Sequence, residues 1–170
     1  MQIIPLTNEL SIKPLDPKDQ KDIWLVDQLD QDQLVKFYLG TFEYVFSNID
    51  SESSDIYDKS YAVMHHTDPI GYLEISRLFG LKRFVNLAYA IIPSERGKKY
   101  AKKMLQAISE LLLEDLNSIK LTIHVNNLAS QAIAVKSGFV PQQTEEEAKK
   151  LGYYHYEKTK IMCHQERRFH

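Results

Sequence analysis

The spacing of apolar residues changes along the chain, and each change marks a predicted element. Alternating residues predict a strand at 10–15, and the pattern breaks at Asp16 and Pro17. Five apolar residues then recur at helical spacing and predict a helix with one broad apolar face: Ile23, Trp24, Val26, Leu29 and Leu34. The aromatic-rich stretch 33–46 is expected to be helical as well, and the polar, acidic stretch 48–59 is expected to be a loop.

Three strands are predicted next, because β-branched and aromatic residues recur at hairpin spacing. They cover 61–65, 70–79 and 84–92, and Pro93 ends the third. From 98 to 116 the apolar residues recur at three and four, which predicts the longest helix of the chain.

The last third of the chain is predicted as short elements. They are a strand at 121–125, a helix at 127–137 that Gly138 ends, a strand at 139–143, a helical turn at 144–150 and a strand at 154–163. The whole order predicts an α/β fold with a mixed, mostly antiparallel central sheet flanked by helices. The length predicts a single domain over 1–170.

Composition narrows the class of protein. Hydrophobic residues make up 44% and charged residues 26%, as in ordinary globular proteins, and the net charge of −2 does not favour nucleic-acid binding. Cys163 is the single cysteine, so we expect no disulfide, no metal site and a reducing cytoplasm. The chain shows no leader pattern and no apolar run near the ~18 residues of a membrane helix, so we expect neither.

Charge is distributed unevenly along the chain. Residues 1–60 carry 12 Asp and Glu against 5 Lys, whereas residues 61–170 carry 16 Lys and Arg against 11 Asp and Glu. The pattern fits two solvated faces, or a bipolar site that takes an anionic ligand on one side and a cationic ligand on the other.

A basic segment joins the third central strand to the long helix. Five of the ten residues from 94 to 103 are basic: Arg96, Lys98, Lys99, Lys102 and Lys103. A helix N-terminus offers unpaired N–H groups and partial positive charge, and Gly97 lets the backbone approach an anion closely. The segment therefore predicts a site for a diphosphate, the alternatives being a solvated basic turn or a nucleic-acid contact. It contains no Walker phosphate loop.

A second segment, 125–139, combines a strand end, a polar corner and a short helix that ends in Gly-Phe. Asn127 is expected to cap this helix, whether or not it also binds a ligand.

Together the two segments resemble the GNAT superfamily of N-acetyltransferases. The pattern [RQ]-x-x-G-x-[GA] falls on Arg96, Lys99 and Ala101, and the pattern N-x-x-[AS] with a closing K-x-G-F falls on Asn127, Ser130, Lys136, Gly138 and Phe139. The N-x-x-S form is similar to the branch that contains ribosomal-protein N-terminal acetyltransferases. The resemblance covers 10–163 and implies the acyl-CoA N-acyltransferase fold.

The resemblance implies acetyl-CoA as the acyl-donor cosubstrate and assigns residues to it. The pantetheine arm would pair with Ala90, Ile91 and Ile92, and the pyrophosphate would lie on Arg96, Gly97, Lys98, Lys99, Tyr100 and Ala101. Asn127 would bind the pantetheine, and Ser130 would lie near the cofactor. A strand N–H would polarise the thioester carbonyl while an amine attacks directly in a ternary complex. Relatives are often homodimers.

Two residues depart from the family pattern. Lys99 stands where the family usually has glycine, and a positive φ there would cost about 1 kcal/mol. Ala134 stands where many relatives carry a tyrosine that protonates the leaving thiolate.

No motif assigns the general base. Glu74 and His124 are the main candidates, and Tyr89 and His155 are weaker ones. The alternative for Glu74 is a solvent-facing strand residue, and the alternative for His124 is a partly buried structural histidine.

The resemblance places the acceptor between the N-terminal helices and the strands near the C-terminus. Because the N-terminal region is acidic, we expect a cationic acceptor, such as a peptide N-terminus near basic residues, a polyamine or an aminoglycoside. Tyr153, Tyr154 and Tyr156 are expected either to line the acceptor pocket or to pack on the core.

The function predicted is transfer of the acetyl group of acetyl-CoA to a primary amine. One alternative is a catalytically inactive domain that senses acyl-CoA, which Lys99 and Ala134 motivate. A nucleic-acid-binding basic patch is the other, and the overall acidity argues against it.

Overall fold

The strands form one sheet in the computed structural model, which describes residues 3–42, 45–46, 55–77 and 83–161. The strands of the described part are β1 (Ile4–Pro5), β2 (Leu10–Pro14), β3 (Lys59–His65), β4 (Asp68–Arg77), β5 (Phe84–Ile91), β6 (Ser118–His124), β7 (Val140–Pro141) and β8 (Tyr153–Thr159). Their order across the sheet is β1-β2-β3-β4-β5-β6-β8-β7, and only the β5–β6 pair is parallel. The mixed, mostly antiparallel α/β fold is therefore confirmed.

Helices cover both faces of the sheet. They are α1 (Gln20–Gln31), α2 (Gln33–Leu39), α3 (Tyr100–Leu112), α4 (Leu128–Lys136) and α5 (Glu145–Leu151). One core lies under α3 and α4, and a second core lies under α1 and α2. Successive side chains of a strand point to opposite faces, so Val85 and Leu87 of β5 enter the first core, whereas Ala90 enters the second.

The sheet opens in its middle, between β5 and β6. These strands pair only where 84–86 meets 118–120, yet β5 continues to Ile91 and β6 to His124. Parallel neighbours need a crossover connection, and α3 provides it. The gap beyond the paired residues is the feature that positions the candidate site.

The predicted helix at 98–116 is correct in kind but too long. α3 begins at Tyr100 because Lys99 has a left-handed backbone, with φ 67° and ψ 11°. It ends at Leu112, and Leu116 is buried just after the turn at 113–115. Its buried residues Met104, Leu105 and Ile108 explain the strong period in the sequence.

The prediction of a helix over 33–46 is wrong at its C-terminal end. α2 ends at Leu39, because Gly40 adopts φ 84°. Val26 and Leu29 are buried as predicted, but Trp24 and Leu34 are 46% and 57% exposed, so the apolar face of 23–34 is narrower than predicted. Asp32 separates the two helices by capping α2, and this break rotates Leu34 away from the face of α1.

Other predicted bounds differ by a few residues. β4 begins at Asp68, and 78–79 lie outside the described residues. The predicted strand 139–143 shortens to β7, and Cys163 at the end of the predicted last strand lies outside the described residues. Most of the predicted loop 48–59 is also outside them, and its last residue already belongs to β3.

Two short elements, β1 and α5, were predicted incompletely. β1 was not predicted, because two residues give no period. The turn at 144–150 is the helix α5, and Thr144 and Glu147 form its capping box. Within the described ranges, no helix is long and apolar enough to cross a membrane.

Candidate active site

The gap between β5 and β6 opens a cleft of about 750 Å³. Residues 87–91 of β5 and 121–124 of β6 form two of its walls, and α2, α4 and the first turn of α3 form the others. Nine residues that the family resemblance assigned to the cofactor line it: Ala90, Ile91, Arg96, Gly97, Lys99, Tyr100, Ala101, Asn127 and Ser130. The fold therefore brings together two segments that lie some thirty residues apart in sequence.

Two of the assigned residues do not line the cleft. Ile92 is buried in the core under α1 and donates its backbone N–H to the Ile70 carbonyl. Lys98 is exposed and pairs with Glu95 at 2.9 Å, and this contact raises the pKa of Lys98. Side-chain contacts to a ligand in the cleft are therefore expected from Lys99 rather than from Lys98.

The loop before α3 has the features of an anion site. Gly97 and Lys99 both have positive φ, which turns the chain sharply into the helix. No side chain caps α3, so its first-turn N–H groups have no side-chain acceptor. Lys99 and Lys102 line the cleft, and neither has an ion-pair partner among the residues described. Unpaired donors and unpaired ammonium groups together suit a diphosphate.

Arg96 is less available than the sequence implied. Its Nε donates to the Ile91 carbonyl at 2.9 Å, and its guanidinium lies 2.5 Å from Asp32 Oδ2. Asp32 also accepts hydrogen bonds from the backbone N–H groups of Leu34 and Val35. Desolvation raises the pKa of Asp32, but these N–H donors and Arg96 outweigh it, so the pKa is lowered overall. Arg96 therefore fastens the loop to α2.

Asn127 caps α4, as expected. Its Oδ1 accepts the backbone N–H of Ser130 at 3.2 Å. The amide nitrogen of Asn127 has no hydrogen-bond partner within the described part of the chain, and Asn127 lines the cleft. One side chain thus both caps the helix and presents a free donor to a ligand.

Tyr89 presents a hydroxyl without a partner. The hydroxyl oxygen is buried, and no described residue completes a hydrogen bond with it, although Ser130 lies close by. Burial raises the pKa of Tyr89 to about 12, and the Ser130 hydroxyl partly offsets this rise. Sequence alone ranked Tyr89 low, because alternation does not show which hydroxyls have partners.

Glu74 lies beside the cleft rather than in its lining. It is opposite Ala88 of β5, which does line the cleft. Tyr72 donates its hydroxyl to Glu74 Oε2 at 2.8 Å, and both side chains belong to the face that α1 and α2 cover. Glu74 has no ion-pair partner among the described residues. It is therefore a carboxylate on the face of the sheet that α1 and α2 cover, oriented by one hydrogen bond.

His124 lines the mouth of the cleft, but one ring nitrogen is already engaged. Its Nδ1 accepts the backbone N–H of Asn126 at 3.1 Å. A neutral ring with that arrangement carries its hydrogen on Nε2, which leaves no free lone pair to take a proton. The ring packs against Phe37 and Tyr38, with centroids 5.1 and 5.6 Å away. The geometry favours Glu74 over His124 as base, and His155 is an exposed residue outside the cleft lining.

Helix α2 covers one side of the cleft. Leu34, Val35, Tyr38 and Leu39 line it, and the Tyr38 hydroxyl donates to the Asn126 carbonyl at 3.3 Å. This contact joins α2 to the corner after β6. Of the two alternatives for the C-terminal tyrosines, core packing holds for Tyr156, which is buried in the core, and for Tyr154, which packs against it. Tyr153 lies outside the lining of the cleft.

Known proteins place this fold and cleft in a family. Residues 9–140 match the family model described as an acetyltransferase (GNAT) domain. The chain belongs to the GNAT acetyltransferase family, whose acetyl donor is acetyl-CoA. No curated protein matches it.

Three solved structures illustrate the likeness of fold. A GNAT acetyltransferase from Bacillus anthracis is 19% identical, with a TM-score of 0.75 over 94% of this chain and 99% of that chain. The ribosomal L7/L12 alpha-N-protein acetyltransferase RimL, in complex with coenzyme A, is 18% identical, with a TM-score of 0.70 over 93% and 98%. A spermidine N-acetyltransferase SpeG chimera from Vibrio cholerae and hSSAT is 16% identical, with a TM-score of 0.70 over 90% and 96%.

The residues present fit acetyl-CoA. The cleft has unpaired cationic groups where the loop meets α3, a free amide donor on Asn127 and a buried hydroxyl without a partner on Tyr89. Each is a group that a ligand with a diphosphate and a polar arm would satisfy.

Proposed function

We propose that the protein transfers the acetyl group of acetyl-CoA to a primary amine by direct attack in a ternary complex. The observation that carries the proposal is the cleft between β5 and β6, which reaches from the basic loop at α3 to the acceptor side under α2. Bound acetyl-CoA supplies an activated thioester. Lys99, Lys102 and the first-turn N–H groups of α3 bind its diphosphate, and Asn127 binds its arm.

The chain itself contributes mainly orientation. The cleft holds the two substrates side by side, and such proximity supplies a large part of the rate enhancement. Glu74 receives the amine proton, directly or through a water molecule, because it lies on the acceptor side and carries no cationic partner among the described residues. Tyr72 keeps the carboxylate oriented from the second core.

We also propose a cationic acceptor, and the support is partly electrostatic. Many carboxylates of the N-terminal half are engaged in ion pairs, as Asp19 and Asp22 are with Lys13. Glu74 is a carboxylate without such a pair close to the cleft. The structures of similar fold include enzymes named for a protein N-terminus and for spermidine, and both of these acceptors carry a cationic amine. An amine with an adjacent apolar segment would match the lining from α2.

Thermal unfolding with and without acetyl-CoA tests the binding part of the proposal. A ligand at 100 times its Kd adds about 2.7 kcal/mol, which is a rise of roughly 5–10 °C in Tm for a chain of this length. We expect Lys99→Glu to abolish the rise, because it reverses a charge in the cleft. Lys98→Glu is the matched control and should keep most of it, since Lys98 lies outside the cleft. An unchanged Tm of the wild type at millimolar acetyl-CoA would refute the proposal.

Turnover with a panel of amines tests the chemical part. We expect acetylation of spermidine or of peptides with basic N-terminal residues, and a rate at least tenfold lower for Glu74→Gln near neutral pH. Binding of acetyl-CoA without turnover of any amine would support the sensor alternative instead. Acetylation restricted to neutral or acidic amines would refute the cationic acceptor while leaving the acetyltransferase activity in place.

A further inference from the structure

The Tyr89 hydroxyl is buried, and the described residues supply no acceptor for its hydrogen, although the Ser130 hydroxyl lies close enough to lower the pKa of Tyr89. Buried polar atoms in folded proteins are nearly always hydrogen-bonded, because burying an unsatisfied group costs free energy. Tyr89 lies in the wall of the cleft, and its ring is partly buried against the core under α3 and α4. An atom of a bound ligand is therefore the natural partner of this hydroxyl.

The position of Tyr89 on β5 identifies the side of the cleft that its hydroxyl faces. Tyr89 shares the α4 face of the sheet with Val85 and Leu87. Ser130 and Ala134 lie four residues apart on α4, so they share one helix face, and Ser130 lies beside the Tyr89 hydroxyl. Ala134 is fully buried and has no polar group. On this face of α4, Ser130 has a hydroxyl and Ala134 has no polar group. The Tyr89 hydroxyl adds a second hydrogen-bond donor beside Ser130.

We infer that Tyr89 is a catalytic residue that donates a hydrogen bond to the sulfur of coenzyme A while the thioester bond breaks, and that Ser130 orients the Tyr89 hydroxyl. The inference rests on the proposed function and names the group that stabilises its leaving thiolate. Glu74 lies on β4, among side chains of the opposite face, so the two groups serve the two reactants from opposite faces of the sheet.

The reaction balances without further components. The amine nitrogen forms a bond to the thioester carbonyl carbon, the carbon–sulfur bond breaks, and its electron pair goes to sulfur. The amine proton goes to Glu74 or water. A tyrosine with a pKa of about 12 keeps its proton near neutral pH, so Tyr89 stabilises the thiolate by hydrogen bonding. The thiolate, with a pKa of ~8.5 by analogy with cysteine, takes its proton from solvent on release.

Other charged groups of the cleft also bear on the charge of the sulfur. They are Glu95, Arg96, Lys99, Lys102, His124 and Lys136, with the tyrosines Tyr38 and Tyr100. Arg96 and Glu95 are paired with Asp32 and Lys98. The experiment therefore leaves every one of these residues unchanged in all of its variants.

The test compares the affinities of three ligands for the full chain and for Tyr89→Phe by calorimetry. Coenzyme A carries the thiol, desulfo-coenzyme A lacks the sulfur, and acetyl-CoA carries an uncharged thioester. Above the thiol pKa, we expect Tyr89→Phe to weaken coenzyme A about tenfold, since a hydrogen bond to a charged group is lost. Desulfo-coenzyme A and acetyl-CoA should bind to within about twofold of wild type. Ser130→Ala should weaken coenzyme A less than Tyr89→Phe does.

The control is Tyr154→Phe, a partly buried tyrosine outside the cleft lining, which should bind all three ligands as the wild type does. Equal losses for all three ligands with Tyr89→Phe would overturn the inference, because they would indicate a structural role. Unchanged binding of coenzyme A at every pH would also overturn it. If the wild type bound none of the three ligands, the proposed function itself would fail, which is a different result.

Discussion

Lys99 has a backbone conformation that lowers the stability of the fold and a side chain that adds positive charge to the cleft. Its φ of 67° lies in the left-handed region, which costs a non-glycine residue roughly 1–2 kcal/mol. Its ammonium group lines the cleft and has no ion-pair partner in the part of the chain described. The position with a strained backbone therefore carries a side chain that adds a positive charge to the anion site.

Replacing Lys99 by asparagine should separate these two effects. Asparagine adopts the left-handed region more readily than lysine, so we expect the free energy of unfolding to rise by up to about 1 kcal/mol. Acetyl-CoA affinity should fall, because a cation is lost from the diphosphate site. Denaturant unfolding and calorimetry measure the two quantities, and Lys102→Asn is the control that loses a cleft cation at a helical position. A parallel change in stability for both variants would contradict the assignment of strain to Lys99.

At the scale of elements, the contact between Asp32 and Arg96 connects α2 to the loop before α3. Arg96 holds both the end of β5, through the Ile91 carbonyl, and the N-cap of α2. Helix α2, which covers the proposed acceptor side, is thereby fixed to the loop that we propose binds the diphosphate. A change at one ligand is expected to reach the other through this contact.

Asp32→Asn should remove this contact while keeping the helix cap, because asparagine also caps helices well. The folded-state pKa of Asp32 is lowered, so its charge contributes stability above the unfolded pKa of ~3.9 and loses it as the pH falls through the folded value. We expect the variant to be about 1–2 kcal/mol less stable near neutral pH, with a difference that shrinks in acid. Denaturant unfolding over a pH series measures this.

Asp27→Asn is the control, because Asp27 is exposed on α1 and has no partner within the described residues. It should show no such pH-dependent difference. A constant difference between Asp32→Asn and wild type at all pH values would mean that the charge of Asp32 does not contribute.

The sequence predicted elements well where a period was long. α3 and the central strands follow from apolar spacing, and the N-cap role of Asn127 follows from residue type alone. It did not predict the end of α2, because Gly40 at φ 84° gives a weaker signal than the aromatic run before it. The partner of Arg96 and the missing partner of Tyr89 depend on residues distant in sequence, which periodicity does not report.

At the scale of the whole molecule, the two parts of the sheet are joined by few hydrogen-bonded residues. β1 to β5 form one antiparallel part, and β6, β8 and β7 form the other. Three register pairs, 84–86 with 118–120, connect them directly. Beyond these pairs, the backbone groups of β5 and β6 that face the gap have no partner in the sheet. We expect a ligand bound between the strands to hydrogen-bond with them instead.

Because β5 and β6 pair over so few residues, we expect the rigidity of the protein to depend on its cosubstrate. Two parts of a sheet that pair over only a few residues can twist relative to each other. A ligand bound between β5 and β6 beyond those residues would restrict this motion. We expect hydrogen exchange at gap-facing amides of 87–91 and 121–124 to slow when acetyl-CoA binds, whereas amides of 84–86 stay protected throughout. Equal exchange with and without the ligand would mean that acetyl-CoA does not restrict the motion of the two parts of the sheet. If the ligand restricts this motion, the binding surface for the amine becomes rigid only after acetyl-CoA has bound. This favours an obligatory order in which acetyl-CoA binds before the amine.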